Sequence, residues 1–239
     1  MPGLSFLSVL VHRTDMGTLS IVATPIGNLE DITLRALRTL REANVIYAED
    51  TRVAAKLLSR FEITVPVRRL DAAVEAQKVS EVVSRLEAGE RVAYITDAGT
   101  PGISDPGGRL VARVRELAPS VKIEAIPGPS AITAALSIAG VSDDEFLFLG
   151  FLPHKKGRKT AVEGIVESQY AVVLYESPHR IEKLLRELKE VMPKRAIIIG
   201  RELTKMHEEL LKGIPAELEQ SLGERKAVRG EFVVIIPTA

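Results

Sequence analysis

The chain has 239 residues and a mass of 26.0 kDa, with 46% hydrophobic and 27% charged residues. This is the composition of a globular protein with one large core or two smaller ones. Its 32 basic and 32 acidic side chains balance, which counts against a broad nucleic-acid-binding surface but allows a local basic patch. The lack of cysteine excludes disulfides, thiolate catalysis and cysteine-ligated metal, and it fits a cytoplasmic location.

The N-terminal segment does not have the pattern of a signal peptide. Its apolar run over 4–11 is short, and no basic residue precedes it. No apolar run is long enough to span a bilayer, so we expect no membrane association. Because Met16 stands directly before the first strand pattern, residues 1–16 are expected to be a disordered tail or an extension from an upstream start codon.

Apolar and β-branched runs alternate with amphipathic helical patterns, which predicts an α/β fold with a largely parallel sheet. In the first half, strands are expected over 18–23, 45–48, 92–95 and 121–126, and helices over 34–43, 54–58, 75–87 and 110–117. A further helix is expected over 131–139, after the Pro- and Gly-rich segment 127–130. In the second half, strands are expected over 146–152, 171–175, 196–199 and 232–236, and helices over 181–191 and 216–222. The Pro- and Gly-rich break at 127–130 predicts an N-terminal domain, 17–128, and a C-terminal domain, 129–239.

The loop over 96–107 reads Thr-Asp-Ala-Gly-Thr-Pro-Gly-Ile-Ser-Asp-Pro-Gly and follows a predicted strand. Its glycines permit positive φ and close approach of the backbone, and its prolines restrict flexibility. An ordinary connection needs only about two to six residues. Small molecules bind at the carboxyl ends of strands in open α/β sheets, so this loop is predicted to bind a ligand.

Unusual residues follow four other predicted strands, at Pro25, Glu49, Glu176 and Arg201. Structural loops rarely concentrate such residues at the same end of so many strands. Together with Asp97, they predict one cleft that is lined by both halves of the chain.

Several common catalytic arrangements are missing from the sequence. It has no Gly-x-x-x-x-Gly-Lys-Ser/Thr phosphate loop, no Gly-x-Gly-x-x-Gly fingerprint and no nucleophile elbow. Its four histidines are scattered, so no metal site is expected. These observations favour transfer of a group from a bound donor through positioning alone.

Six motifs match, in order, those of a known family. They occupy residues 25–33, 48–52, 96–107, 127–131, 176–180 and 201–205. With these motifs the chain resembles, from about residue 17 onward, the cytidine 2′-O-methyltransferases of small-subunit ribosomal RNA, a branch of the tetrapyrrole methylase superfamily.

The resemblance implies two α/β domains, the N-terminal one with a mostly parallel sheet and the C-terminal one with a mixed sheet. It also implies a cleft between them that binds S-adenosylmethionine, and a homodimer that methylates a cytidine ribose of ribosomal RNA within the small subunit. No metal is implied. The implied cofactor-binding residues are Ile26, Asp97, Gly99, Thr100, Ser130, Ala131, Tyr175, Arg201 and Gly230.

Methylation of a ribose hydroxyl requires alignment of oxygen, methyl carbon and sulfur, exclusion of water, and an acceptor for the proton. The candidate acceptors are the carboxylates of Glu49, Asp50, Glu176 and Glu202. We favour Glu49 and Asp50, because Arg52 next to them can contact a phosphate; these three form the expected catalytic set. RNA contacts are expected from Asn28, Arg52, Glu176, His179, Arg180, Glu202 and Lys205.

Structural roles explain some of the same residues. Glu49 and Asp50 also suit the N-terminus of a helix, and Arg201 and Glu202 also suit an ion pair that braces two domains. One basic loop suits RNA phosphates, although a solvated loop has the same composition. Its basic residues are Lys155, Lys156, Arg158 and Lys159.

Two other functions stay open at this point. One is methylation of a tetrapyrrole or another small molecule. The other is a ribosome-assembly factor that binds S-adenosylmethionine or RNA without turnover. Segment 70–78 lacks the histidine and asparagine that the family commonly carries, and the C-terminal helical extension of many members is missing. Both departures keep the non-catalytic alternative open.

Overall fold

The computed structural model describes residues 16–73, 75–142, 144–225 and 227–238. Apart from Met16, the predicted N-terminal tail lies outside the described residues. Within these ranges, no helix is long and apolar enough to cross a bilayer.

The first half of the chain forms one five-stranded sheet. Its elements are β1 (Thr18–Val22), a 3₁₀ turn (Leu29–Asp31), α1 (Leu34–Glu42), β2 (Val45–Ala48), α2 (Thr51–Arg60), β3 (Val67–Arg69), α3 (Glu75–Glu87), β4 (Arg91–Ile95), α4 (Gly107–Leu117) and β5 (Lys122–Ile126). The strand order is β3-β2-β4-β1-β5, and all neighbours are parallel. Both faces of the sheet are apolar and covered, by α1 and α2 on one side and by α3 and α4 on the other.

This strand order creates a crevice at one edge of the first sheet. β1 and β4 are neighbours, and the helices that follow them, α1 and α4, pack on opposite faces. The loops after these strands therefore diverge and leave space between them, as at the ligand sites of other open α/β sheets. β2 lies beside β4, so its carboxyl end borders the same crevice.

The second half of the chain forms a mixed sheet. Its elements are α5 (Ala131–Ala139), β6 (Phe146–Phe151), α6 (Arg158–Glu167), β7 (Ala171–Glu176), α7 (Ile181–Val191), β8 (Ile197–Arg201), β9 (Glu209–Gly213), α8 (Pro215–Gly223) and β10 (Phe232–Ile236). The order is β6-β7-β10-β8-β9, in which β6 and β7 are parallel and the other neighbours antiparallel. α5 packs on one face, and α6, α7 and α8 pack on the other.

The predicted fold class, with one parallel and one mixed sheet, is confirmed. Two strands and one α-helix of the described residues were not predicted from the sequence: β3, β9 and α6. The two strands are short and rich in charge, so they lack a clear apolar alternation. α6 begins at Arg158, so the basic loop ends at Gly157, and its predicted extension to Lys159 was wrong. The domain boundary at 128/129 stays a prediction, and α5, which follows it, packs on the second sheet.

Candidate active site

A cavity of about 500 Å³ lies between the two sheets and is lined by both halves of the chain. Pockets for small molecules typically have this size, about 300–1,000 Å³. Nine of the residues singled out in the sequence line it: Ile26, Glu49, Asp97, Gly99, Thr100, Ser130, Ala131, Tyr175 and Glu176.

The loop after β4 is tied to both halves. The backbone of Gly99 exchanges two hydrogen bonds with that of Thr24, each 3.0 Å long. The φ of Gly99 is +79°, a region that favours glycine, and a Cβ there would lie 3.3 Å from Cγ2 of Ile26. Oγ1 of Thr100 donates to the carbonyl of Pro129 at 3.0 Å. The loop is thus held in one conformation beside the cavity.

Asp105 closes the same loop on itself. Its Oδ2 accepts hydrogen bonds from the N–H groups of Gly102 at 2.7 Å and Ile103 at 2.9 Å. Its Oδ1 accepts one from the N–H of Gly107 at 2.7 Å. Asp105 is not among the predicted site residues, although an aspartate before Pro-Gly is a common signal for such turns.

Glu49 and Asp97 bring carboxylates from the ends of β2 and β4 to the cavity. Oε2 of Glu49 accepts a hydrogen bond from Oγ1 of Thr96 at 2.7 Å. Oδ1 of Asp97 accepts one from the N–H of Asp50 at 3.0 Å. Partial desolvation raises the pKa of Asp97, against the opposing effect of this N–H hydrogen bond.

Asp50 and Arg52 do not line the cavity. Asp50 is the N-cap of α2, and its Oδ1 accepts a hydrogen bond from the N–H of Arg52 at 2.8 Å. The Arg52 guanidinium also pairs with this carboxylate at 2.6 Å. The side-chain hydrogen bond from Arg52 holds the pKa of Asp50 well below its usual range, which makes Asp50 a weak proton acceptor. The helix-cap alternative therefore describes Asp50, whereas Glu49 beside it faces the cavity.

Tyr175 gives the second half an aromatic wall. Its ring centroid lies 5.0 Å from that of Phe148 and 5.6 Å from that of Phe151, which also lines the cavity. Burial raises the pKa of Tyr175 to about 12, so the phenol is neutral near pH 7. Such a wall suits an apolar or planar part of a ligand.

Glu176 lines the cavity, but its side chain is completely buried. Its Oε1 lies 3.3 Å from Nε of Arg180, and its Oε2 lies 3.7 Å from Nη2 of Arg158. Arg158 is only 3% exposed, so neither alternative for the basic run, a phosphate contact or a solvated side chain, describes this residue. The guanidinium of Arg180 is also turned inward, where it donates to the carbonyl of Leu152 and approaches Nε2 of His154 at 3.4 Å.

The remaining residues from the sequence analysis lie outside the cavity lining: Asn28, His179, Arg201, Glu202, Lys205 and Gly230. Arg201 donates to the carbonyl of Arg229 at 2.7 Å and to the carboxylate of Glu209 at 3.2 Å. Nζ of Lys205 donates to Glu202 at 2.8 Å and to Glu231 at 3.0 Å. The ion pair of Glu202 is thus with Lys205 rather than with Arg201.

The two halves also meet at loops around the cavity. The N–H of Asn28 donates to Oγ1 of Thr204 at 3.1 Å. A Cβ on Gly27 would lie 2.4 Å from the side chain of Lys205, so glycine is needed for this close approach.

The lining of the cavity is acidic. Within the described part of the chain it includes no lysine, arginine or histidine, and its carboxylates belong to Glu49, Asp97, Asp105, Glu176 and Glu231. Glu176 and Glu231 have cationic partners outside the lining, whereas Glu49 and Asp97 form no ion pair with the described residues. The cavity therefore favours a positively charged ligand.

These features define a two-sheet α/β protein with a cavity of small-molecule size between its halves. A family model described as Tetrapyrrole (Corrin/Porphyrin) Methylases matches residues 18–219. The chain is 40% identical over 222 residues to a ribosomal RNA small subunit methyltransferase I of Thermotoga maritima, covering 92% of this chain and 98% of that protein. It is 44% identical over 218 residues to a protein of the same name from Coprothermobacter proteolyticus, covering 90% and 95%.

Solved structures share the fold. A diphthine synthase superposes with a TM-score of 0.74 at 14% identity, covering 93% of this chain and 90% of that one. A uroporphyrin-III-C-methyltransferase from Thermus thermophilus superposes with a TM-score of 0.63 at 20% identity, covering 92% and 94%. The chain belongs to the tetrapyrrole methylase family and is a methyltransferase. The family resemblance of the six motifs is thereby confirmed.

Asp97→Asn is expected to stabilise the ligand-free protein at neutral pH. Because the pKa of Asp97 is raised by folding, its ionisation costs stability as the pH rises through the folded-state value. We expect the variant to melt at a higher temperature than the wild type at pH 7. The difference should shrink as the pH falls and disappear below about pH 3, where the carboxyl is protonated in both the folded and unfolded states. Thermal unfolding across this pH range, with exposed Asp144→Asn as the control, measures the effect; a lower Tm for Asp97→Asn at pH 7 would contradict it.

Proposed function

We propose that the chain uses S-adenosylmethionine to methylate the 2′-oxygen of a cytidine ribose in small-subunit ribosomal RNA. One combined observation carries the proposal: near-full-length similarity to proteins named ribosomal RNA small subunit methyltransferase I, in a chain whose cavity is acidic. The choice of cytidine and of the 2′-oxygen rests on the six sequence motifs.

The cavity suits S-adenosylmethionine in size and in charge. When bound, this donor supplies an electrophilic methyl group on a positively charged sulfur. Glu49 and Asp97, which form no ion pair with the described residues, complement that charge. Gly99 brings bare backbone to the cavity, and the rings of Tyr175 and Phe151 offer a surface for the adenine.

Glu49 is the proton acceptor that we favour. The hydroxyl of Thr96 holds its Oε2, and its Oε1 accepts no hydrogen bond from the described residues. Asp50 and Glu202 already pair with cations, and the carboxylate of Glu176 is enclosed. Oε1 of Glu49 is thus suited to accept the proton of the ribose hydroxyl as its oxygen takes the methyl group.

A basic rim borders the cavity and suits the RNA backbone. Residues 177–178 line the cavity, and exposed His179 follows them. Through Arg180 this segment contacts the loop over 154–156, whose two lysines are exposed. We define the basic rim as residues 154–156 and His179. The two lysines of such a rim can position a phosphate backbone and make binding dependent on salt.

We further propose that the enzyme acts in the cytoplasm as a homodimer. The family resemblance supports both statements. In addition, the edge strand β6 carries exposed apolar side chains that offer a surface for a second copy. They are Phe146, Leu147 and Phe151.

The proposed reaction predicts transfer of tritium from methyl-labelled S-adenosylmethionine to small ribosomal subunits. The label should appear on a cytidine 2′-oxygen after digestion to nucleosides. Glu49→Gln should lower kcat by about 100-fold, the usual contribution of a general base. Naked ribosomal RNA and a tetrapyrrole precursor serve as competing acceptors in parallel reactions.

Two other outcomes of this assay would support a rival function. Label on the tetrapyrrole would establish a small-molecule methylase. Donor binding without transfer to any acceptor would establish a non-catalytic assembly factor.

Gly99→Ala is expected to weaken binding of S-adenosylmethionine at least tenfold, or by about 1.4 kcal/mol. The added Cβ conflicts with the positive φ and presses against Ile26, which displaces the loop. Gly140→Ala is the matched control, because its φ is +64° and a Cβ there meets nothing within 4 Å. Both variants should lose about 1–2 kcal/mol of stability. Calorimetric titration at a temperature where both variants are folded distinguishes a loss of donor affinity from the shared loss of stability. Equal affinities of the two variants would refute the role of Gly99.

The basic rim predicts a weaker salt dependence of RNA binding when its lysines are removed. Lys155→Ala and Lys156→Ala should each reduce the slope of log K against log salt by about 0.7–0.9. Lys194→Ala, an exposed lysine between α7 and β8, is the control and should leave the slope unchanged. Fluorescence anisotropy over a potassium chloride series measures the slopes. Identical slopes in all variants would exclude the rim from RNA binding.

A further inference from the structure

A charge cluster lies behind the second-half wall of the cavity. It consists of two arginines and two glutamates from three elements and the turn between them: Arg158, Glu176, Arg180 and Glu187. The side chains of Arg158 and Glu176 are 4% and 0% exposed. Burying such charges carries a large desolvation cost, and apolar residues often stabilise a core as well. Stability alone is therefore a poor reason for this cluster.

Arg158 is held rigidly at one end of the cluster. Its Nε donates to both carboxylate oxygens of Glu187, at 2.9 and 2.8 Å. Its Nη1 donates to the carbonyl of Pro153 at 3.3 Å. These bonds fix the plane of the guanidinium and place Nη2 beside the carboxylate of Glu176, 3.7 Å from Oε2.

Glu176 links the cluster to the cavity wall; it is attracted to Nη2 of Arg158 by charge, without a hydrogen bond between them. Its Oε1 accepts a hydrogen bond from the N–H of Ser177 at 2.9 Å, so the carboxylate fixes the peptide that follows β7. The carbonyl of Ser177 in turn accepts hydrogen bonds from the N–H groups of Arg180 at 3.0 Å and Ile181 at 3.1 Å, where α7 begins. Residues 175–178, which this chain of bonds shapes, all line the cavity.

We propose that Arg158 and Glu187 are positioning residues for the donor site. They orient the carboxylate of Glu176, which holds the wall over 175–178 in the shape that binds S-adenosylmethionine. Neither residue lines the cavity, so their effect is indirect. This inference rests on the proposed donor. It also gives Arg158 a role different from both alternatives that the sequence left open, a phosphate contact and a solvated loop.

The test compares Glu187→Gln and Arg158→Lys with Lys183→Gln. Glu187→Gln keeps the size of the side chain but removes the charge that orients Arg158. Arg158→Lys keeps the charge but loses the planar fork. Nζ of Lys183 approaches the same Glu187 carboxylate at 3.8 Å and is half-exposed, which makes it the matched control. Affinity for S-adenosylhomocysteine is measured by calorimetry at a temperature where circular dichroism shows each variant folded.

Glu187→Gln and Arg158→Lys are expected to weaken S-adenosylhomocysteine binding by about tenfold and to raise the KM for S-adenosylmethionine equally, because displaced walls lose ligand contacts. The kcat and the affinity for ribosomal RNA of these two variants should stay within about twofold of the wild type. Lys183→Gln should leave the affinity for S-adenosylhomocysteine and the KM for S-adenosylmethionine unchanged. If Arg158→Lys does not fold, the affinity of Glu187→Gln alone tests the proposal. This variant is expected to fold, because the side chain of Glu187 is partly exposed.

A lower Tm with unchanged S-adenosylhomocysteine affinity would show a purely structural cluster and overturn the proposal. An equal loss of affinity for RNA would overturn it as well, because the effect would not be specific to the donor wall. A wild-type protein that binds neither S-adenosylmethionine nor S-adenosylhomocysteine would instead refute the proposed function. Donor binding without RNA methylation would refute only the proposed reaction, and the calorimetric comparison would still decide the role of Arg158.

Discussion

The pairing of Gly99 with Thr24 is the contact on which the site depends. Parallel strands bring their carboxyl ends to one edge, but the loops that follow are free to diverge. The two backbone hydrogen bonds between these residues hold the loop after β4 against the turn after β1. Only a residue that tolerates positive φ can make them without strain at position 99. With the loop fixed, Asp97 and Thr100 take defined places beside Ile26, and the crevice between the strands becomes a shaped cavity.

The two halves differ in whether the carboxylates that line the cavity have ion-pair partners. The first half brings the carboxylates of Glu49 and Asp97 to the cavity without ion-pair partners among the described residues. The second half buries Glu176 between two arginines, so its negative charge is compensated within the wall. The attraction for a cation is therefore directed to one side of the cavity. The opposite side contributes shape and aromatic surface, through Tyr175 and its neighbours.

The features that could be predicted from the sequence are those set by local patterns of residues. The parallel strands, the long loop after β4 and the convergence of Glu49 with Asp97 all follow from apolar runs and the residues that end them. Partnerships between distant side chains do not follow, because a charged run has the same composition in solvent and in a buried cluster. Arg158 was therefore placed on a solvated loop, although it pairs with Glu187, which lies 29 positions further on. Asp50 illustrates a different limit, since a helix cap and a proton acceptor require the same residue type.

The loops that line the cavity also join the two halves. Thr100 reaches the carbonyl of Pro129, and the turn carrying Gly27 and Asn28 packs against Lys205 and Thr204. We call these contacts between the two halves the seam. A molecule bound between the sheets contacts both halves, so its binding free energy also stabilises the seam against opening. Local opening of the seam, and exposure to proteases there, would then fall as methyl-donor supply rises.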